Sequence, residues 1–313
     1  MKSLVYTGPD YCVPLIEEKL GNQFEIIHVE PTPNSLFSAF KECTVFLDAS
    51  MKVNIDRDII NDSQKLDLVV TATTGANHID KSALDDKNIQ LLTLKGQVEV
   101  LNSLTPAAEL TWALIMSCAR HLRAAYRHVE DKGWERTQFP GLMLKEKTIG
   151  IIGFGRIGSW IARYANAFDM KILCYDPSTT RVEDYVEMTS LEYLVSSSDI
   201  ISIHVHLTND TKGMLNKTII SQFKKGSIFV NTSRGELTDE NALVNALESG
   251  SIQSVGLDVL SNEPNIIDNP LWRYAKNHDN VHITPHIGGF CPDAVKTVVS
   301  FSCDRVKEFY TSV

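Results

Sequence analysis

"KTIGIIGFGRIGSWIARYANAF", residues 147–168, is the stretch on which the fold turns. "KTIGII" is a short apolar, β-rich run, the pattern of a buried strand. "SWIARYANAF" has the spacing of an amphipathic helix. Between them stand Gly153, Gly155 and Gly158. A strand, a G-x-G-x-x-G turn and a helix in immediate succession form a phosphate-binding unit. Gly153 permits the tight turn, Gly155 lets the backbone approach a pyrophosphate, and Gly158 lets the helix pack close to the strand. The helix start at Arg156 and Ile157 offers free N–H groups and the positive end of the dipole to the phosphates. Asp176 ends the next strand pattern, about 20 residues further on, where a carboxylate accepts hydrogen bonds from ribose hydroxyls and repels a 2′-phosphate. In the turn "YDPS" it could instead be an ordinary loop acid, and Arg181 nearby would soften the repulsion. The segment predicts a dinucleotide site that takes NAD in preference to NADP.

The unit sits near the middle of a 313-residue chain, long enough for two domains. Before it, "SLVYT", "FEIIHV", "TVFLDA", "LDLVVTAT" and "IQLLTL" read as strands, with amphipathic stretches such as "YCVPLIEEKL" and "RDIINDSQKL" between them. After it, "KILCYD", "DIISIHVHL", "GSIFVNTS", "SVGLDVL" and "NVHITP" continue the alternation, and "CPDAVKTVVSFSCDRVKEFY" closes the chain as one helix. Alternation of this kind predicts parallel sheets covered by helices, two α/β units in succession. A single long helix starting at Thr105–Pro106 joins them. It would cross between the units or be an ordinary buried helix.

An apolar fraction of 43%, a charged fraction of 22% and a net charge of −9 describe a globular protein without the basic face that a nucleic-acid binder needs. The early acids Asp10, Glu17 and Glu18 break up any signal-like apolar run, and "LTWALIMSCA" is too short to span a bilayer. Six cysteines without a CxxC pair read as thiols in a reducing, cytoplasmic setting.

In an open α/β sheet ligands collect at the carboxyl ends of the strands. Three later strand patterns deliver charged or titratable groups there: Arg234 in "NTSRGE", Glu263 in "GLDVLSNEP" and His286 in "TPHIGG". Singly, each has a bland explanation as a surface ion-pair partner, a solvated acid or a histidine packed in a turn. Together they meet the needs of 2-oxo acid reduction. A guanidinium fork holds the carboxylate and polarises the carbonyl. An imidazole delivers the proton near neutral pH. A carboxylate beside it orients the ring and favours its charged form.

"GFGRIG", "NTSRGEL", "GLDVLSNEP" and "TPHIGG", in this order, resemble the D-isomer-specific 2-hydroxyacid dehydrogenase family, and "GWERTQFPGLMLKEKTIGIIG" resembles the family's lead into the cofactor loop. The resemblance covers nearly the whole chain from about Thr73 onward. It implies two Rossmann-like, doubly wound domains, with an NAD-binding domain (102–290) inserted into a flavodoxin-like substrate domain (1–101, completed by 291–313). The catalytic cleft would lie between the two lobes. It implies Arg234 as substrate anchor, His286 as general acid/base and Glu263 as its partner. Asp258 would meet the nicotinamide carboxamide, and the backbone of Arg156 and Ile157 the pyrophosphate. Val205, Thr232, Ser233 and Gly288 complete the expected cofactor contacts. A homodimer is implied as well, with Trp134 resembling an aromatic at the dimer contact; a core tryptophan is the other reading.

Several positions depart from the family pattern. The glycine-rich loop that lends N–H groups to the substrate carboxylate reads "TTGANHID" here, residues 73–80. Thr74 and Gly75 remain as the expected carboxylate contacts. Thr73 replaces a glycine and His78 replaces the usual asparagine, as a substrate-facing, supporting or surface histidine. "HVHL" places His204 and His206 on one face of a strand; with no carboxylate or thiol at ligand spacing, no metal is expected. Phosphoglycerate dehydrogenases of the family tend to carry an arginine in an "RSxTKV"-like segment after the third strand. "DASMKV", residues 48–53, has Asp48 at that position and Met51 in place of threonine, and Lys52 offers only a point charge. The chain also ends at Val313, without the regulatory domain many such enzymes append. The expectation is an unphosphorylated 2-oxo acid as substrate, unless the segment faces solvent and its charges are idle.

Two other functions come into question on the same residues. NAD(H)-sensing corepressors share this fold and are compatible with the same Arg/Glu/His set. Formate dehydrogenase, a further relative, typically pairs its histidine with glutamine, so Glu263 counts against it.

Overall fold

Aliphatic and β-branched runs in the first hundred residues pair as five parallel strands: β1 (Lys2–Thr7), β2 (Phe24–His28), β3 (Val45–Asp48), β4 (Leu68–Thr71) and β5 (Gln90–Leu92). A computed structural model describes residues 2–50, 52–76, 78–179 and 182–311. Met51 and Arg181 of the sequence reading therefore lie outside the described residues. The strands are ordered β2-β1-β3-β4-β5, the flavodoxin-like doubly wound arrangement. Alternate residues feed two cores, one on each face. Leu4 and Tyr6 of β1 join Val45, Leu47, Leu68 and Val70 on one side, while Val5, Phe46 and Val69 point to the other. Burial on both faces explains the continuous apolar runs. The C-terminal helix Pro292–Thr311 returns to this unit, laying Val295, Val299, Cys303 and Val306 into the first of these cores.

The second sheet has seven parallel strands. They are β6 (Thr148–Ile152), β7 (Lys171–Tyr175), β8 (Val186–Met188), β9 (Ile200–Ile203), β10 (Ser227–Asn231), β11 (Ile252–Leu257) and β12 (Val281–Ile283). Their order is β12-β11-β10-β9-β6-β7-β8. The chain steps from β6 through β7 to β8 in one direction, then from β9 to β12 in the other. The reversal lies between β6 and β9, where such a sheet opens a crevice for a dinucleotide. The chain divides into two compact units, residues 1–104 with 290–313 and residues 105–289. Among the described residues no helix is long and apolar enough to cross a membrane, and the six cysteines are unbridged, all but Cys291 buried.

Three elements differ from the sequence expectation. The single long helix after Thr105 is two helices, Pro106–Ala119 and Leu122–Glu130, separated where His121 takes φ +51°. The first of them is a core helix of the second unit, with Ala108, Leu114, Ile115 and Cys118 packed beside Ile228 and Val230 of β10. β8 went unrecognised, because three residues with two exposed side chains carry no legible period. The strand read as "DIISIHVHL" ends at Ile203, so His204 and His206 do not share a strand face. His206 is exposed, whereas His204 bonds Ser202 Oγ through Nε2 at 2.8 Å. Among the described residues no group of three or more His, Cys, Asp or Glu is placed to hold a metal ion.

Burial holds two imidazoles neutral. It pushes His204 down to about 3 and, with Arg123 nearby, His282 down to about 4. An unfolded histidine takes up its proton near pH 6.5, so below that value the unfolded chain binds more protons than the folded one. Their contribution is therefore level above about pH 6.5 and becomes destabilising as pH falls toward about 4. Urea midpoints should be flat through neutral pH and drop in that acid window. His282→Gln, which can keep the bond that Nδ1 makes with Ser117 Oγ (2.8 Å), should shrink the drop. An equal drop in the variant would remove His282 as the cause.

Candidate active site

The turn after β6 has the geometry its glycines predict. Gly153 takes φ +92°, and a Cβ there would lie 2.6 Å from the His204 carbonyl oxygen. A Cβ on Gly158 would stand 2.1 Å from the Gly153 carbonyl oxygen, so only glycine lets the helix start this close to the strand. A Cβ on Gly155 would meet nothing within 4 Å; the backbone there borders open space that a pyrophosphate can enter. Gly155 caps the helix Arg156–Ala167 with no side-chain bond to its first N–H groups. The residues present thus fit a dinucleotide phosphate.

Asp176 follows β7. Its Oδ2 accepts from the Phe154 N–H and its Oδ1 from the Ser178 N–H, both at 2.8 Å. Burial pushes the carboxyl up, but these N–H groups outweigh it and hold the group below its usual range, so the acid is ionised at neutral pH. The carboxylate at the end of this strand is thus tied to the glycine turn through the Phe154 N–H.

Because all strands run parallel, the segments after β9, β10, β11 and β12 leave the same edge of the sheet. Val205 follows β9, its Cγ1 2.7 Å from the position of a Cβ on Gly153. After β10, Thr232 Oγ1 shares a 2.7 Å bond with Thr111, and Ser233 Oγ donates to the Ile203 carbonyl (2.9 Å). Arg234 is half-buried. Its Nη1 donates to the Ser233 carbonyl at 2.7 Å, while its Nε and Nη2 meet no acceptor and no carboxylate among the described residues. A guanidinium without a counter-ion at a strand's carboxyl end is a ready anion site.

Asp258, directly after β11, is 1% exposed and holds the following segment in place. Its Oδ1 accepts from Thr284 Oγ1 (2.6 Å) and the Ile287 N–H (2.9 Å), its Oδ2 from the Gly288 N–H (2.7 Å). Its backbone carbonyl takes the His286 N–H at 2.9 Å. Burial pushes its carboxyl up against these bonds. His286 is thereby fixed at φ +54°, in the left-handed region that few non-glycine residues adopt. Its Nδ1 lies 2.5 Å from Glu263 Oε1, whose Oε2 takes the Leu260 N–H at 3.3 Å. The imidazole is 39% exposed, and Nε2 makes no bond among the described residues. Sequence reading assigned Asp258 to the cofactor and missed this positioning role, which pairs groups some 30 residues apart.

In the first unit the segment after β4 is pinned by its own threonines. Thr73 Oγ1 pairs with Thr71 Oγ1 at 2.7 Å and donates to the Gly75 carbonyl at 2.6 Å. The N–H groups of Thr74 and Gly75 donate to no acceptor among the described residues. Asp48 is not a solvent-facing acid: it is 2% exposed. Its Oδ1 accepts from Thr7 Oγ1 and from the Ser50 N–H and Oγ, each at 2.8 Å, and its Oδ2 lies 2.9 Å from His78 Nε2. The His78 side chain, 8% exposed, is likewise no surface histidine. Trp134 is 85% exposed, which overturns its reading as a core residue.

A dinucleotide turn, a strand-end acid beside it, and an arginine and an acid–imidazole pair at one sheet edge have the character of an NAD-dependent oxidoreductase. The comparisons sharpen the class. The family model for the NAD binding domain of D-isomer specific 2-hydroxyacid dehydrogenases matches residues 112–288. The chain is 37% identical over 244 residues to a hydroxypyruvate reductase of Thermotoga maritima, covering 78% of each. It is 35% identical to a D-3-phosphoglycerate dehydrogenase of Archaeoglobus fulgidus, covering 78% of this chain and 45% of that one. The chain thus spans about half the length of the phosphoglycerate dehydrogenases it matches. A D-lactate dehydrogenase of Aquifex aeolicus, solved with NAD and lactic acid, superposes with a TM-score of 0.80 at 28% identity over 99% of this chain and 96% of that one. The chain belongs to the D-isomer specific 2-hydroxyacid dehydrogenase family, and its cofactor is NAD.

Proposed function

We propose that this enzyme interconverts a 2-oxo acid and the matching D-2-hydroxy acid, with Arg234, His286 and Glu263 as the working residues. The observation that carries the reading is the pairing of a free, half-buried guanidinium with an acid-bound imidazole at one sheet edge. Bound NADH supplies the hydride to the carbonyl carbon. Arg234 holds the substrate carboxylate and polarises the carbonyl. As the carbonyl electrons move to oxygen, His286 Nε2 delivers a proton there, and Glu263 stabilises the imidazolium that preceded it. The N–H groups of Thr74 and Gly75, which meet no acceptor among the described residues, are the substrate contacts of the first unit. Arg156 and Ile157 meet the pyrophosphate through their N–H groups, with Val205, Thr232, Ser233 and Gly288 lining the cofactor. Asp258, whose Oδ2 accepts a single hydrogen bond among the described residues, keeps capacity for the nicotinamide amide.

In this reading residues 1–101 with 291–313 bind substrate and 102–290 bind cofactor, and the enzyme works in the cytoplasm as a homodimer. Exposed Tyr126, Val129, Trp134 and Met143 support a partner surface in the 126–143 segment. NADH oxidation followed with glyoxylate, hydroxypyruvate, pyruvate, 2-oxoglutarate and phosphohydroxypyruvate tests the function. Turnover of at least one acid to its D-product is expected. NADH binding without turnover of any would overturn it in favour of a sensing protein.

Cofactor choice rests on Asp176. NADH should be preferred over NADPH, and Asp176→Ala should narrow the gap mainly by weakening NADH binding. Equal efficiency with both cofactors in the wild type would refute the assignment.

A further inference from the structure

The segment after β11 carries Glu263 to His286, and a second acid holds that segment in place. Glu240, the first residue of the helix Glu240–Glu248, is half-buried and has no part in the chemistry described above. Its Oε1 accepts the Ser261 N–H at 2.8 Å, and its Oε2 accepts from Asn269 Nδ2 at 2.6 Å. Burial pushes its carboxyl up, a cost that an idle surface acid would not carry. Asn269 is 6% exposed and has no freedom to turn its amide over. Its Oδ1 caps the helix Pro270–Ala275 at the N–H groups of Leu271 (3.0 Å) and Trp272 (3.1 Å). The side chain at 240 therefore faces two donors, and a carboxylate satisfies both because it only accepts.

The Leu260–Ser261 peptide that Glu240 holds also lies against Gly235. A Cβ there would stand 2.2 Å from the Leu260 carbonyl carbon and 2.2 Å from the Ser261 nitrogen. The Leu260 N–H in turn donates to Glu263 Oε2 at 3.3 Å. One peptide is thus seated on Gly235 and tied to Glu240, two positions before the acid that meets the imidazole.

We propose that Glu240 is a positioning residue for proton delivery: with Asn269 it fixes the 260–263 segment so that Glu263 Oε1 meets His286 Nδ1. The proposal rests on the reading of His286 as the proton donor and Glu263 as its partner. Arg234 is anchored separately, since Asn231 Nδ2 donates to its carbonyl at 2.8 Å and its own Nη1 is held by the Ser233 carbonyl. A loosened 260–263 segment should therefore impair the proton transfer and spare substrate binding.

Glu240→Gln keeps the size and turns an N–H toward one of the two donors. It should lower kcat for reduction of the best 2-oxo acid substrate by at least ~10-fold, since small misplacements of a reacting group cost this much or more. Affinity for NADH, and for oxamate on the enzyme–NADH complex, should stay at the wild-type level. Asn269→Asp in the same chain gives the glutamine an acceptor and keeps the helix cap, so the double variant should regain most of the lost kcat. In a Glu263→Gln background Glu240→Gln should add little, because both act through one pair and their losses do not multiply. If Glu240→Gln fails to fold, Asn269→Ser removes the bond to Glu240 with a capping residue still in place, and kcat should fall there too. An unchanged kcat in the variant that folds, losses that multiply with Glu263→Gln, or a defect that falls on oxamate affinity overturns the proposal and leaves the dehydrogenase reading standing. A wild type that turns over no 2-oxo acid overturns both.

Discussion

His286→Asn should lower kcat for 2-oxo acid reduction by at least ~10²-fold and leave NADH binding nearly intact, as expected when a general acid is lost. Asparagine is the right replacement on physical grounds. Position 286 sits at φ +54°, which asparagine tolerates better than most residues, and the backbone bond to the Asp258 carbonyl survives the change. The loop itself is held by Asp258 through Thr284, Ile287 and Gly288, none of which the substitution touches. What disappears is the proton carrier on Nε2, the one ring nitrogen not committed to Glu263. Because reduction needs the protonated ring, its rate should fall as pH rises, and oxidation of the hydroxy acid should show the opposite trend. Glu263→Gln removes the carboxylate that orients the ring through Nδ1, so kcat for reduction should fall with NADH affinity unchanged. An unchanged kcat in that variant would take Glu263 out of the mechanism, and a kcat within about threefold of wild type for His286→Asn would do the same for the histidine.

Local signals made most of the architecture legible. Eleven strand patterns survive in the structure because each is a short apolar run, most of them with alternate residues feeding two cores. The glycine turn was readable because each glycine answers to a separate steric demand, visible at Gly153 and Gly158 as contacts that a Cβ would violate. Features that depend on tertiary partners were not readable. No glycine or proline announces the break at His121, and β8 exists only because Val186, Glu187 and Met188 find an edge on β7. Asp48 and His78 are separated by 30 positions and meet only once β3 and β4 lie side by side. The sequence departures at both positions looked like two independent oddities, yet they are the two halves of one buried pair. Asp258 shows the same limit, since nothing near it in sequence reveals that its carboxylate carries the histidine loop.

Arg234→Gln should lower kcat/KM for every 2-oxo acid by at least ~10²-fold, the loss expected when two charge-assisted hydrogen bonds are removed from a transition state. One guanidinium nitrogen, Nη1, is spent on the Ser233 carbonyl, which fixes the plane of the group. The remaining donors have no acceptor among the described residues, so a substrate carboxylate gains them without displacing a partner. Glutamine fills similar space and offers one amide donor pair, but it carries no charge to balance the carboxylate or to draw electrons toward the carbonyl oxygen. Lysine restores the charge as a point and not as a fork, so Arg234→Lys should recover part of the binding and little of the rate. The two variants therefore separate anchoring from polarisation. Oxamate, a non-reducible mimic of a 2-oxo acid, should bind the enzyme–NADH complex weakly in Arg234→Gln and more tightly in Arg234→Lys. kcat should stay depressed in both. Oxamate affinity equal to wild type in the glutamine variant would mean that the carboxylate is held elsewhere and that the free guanidinium serves another ligand.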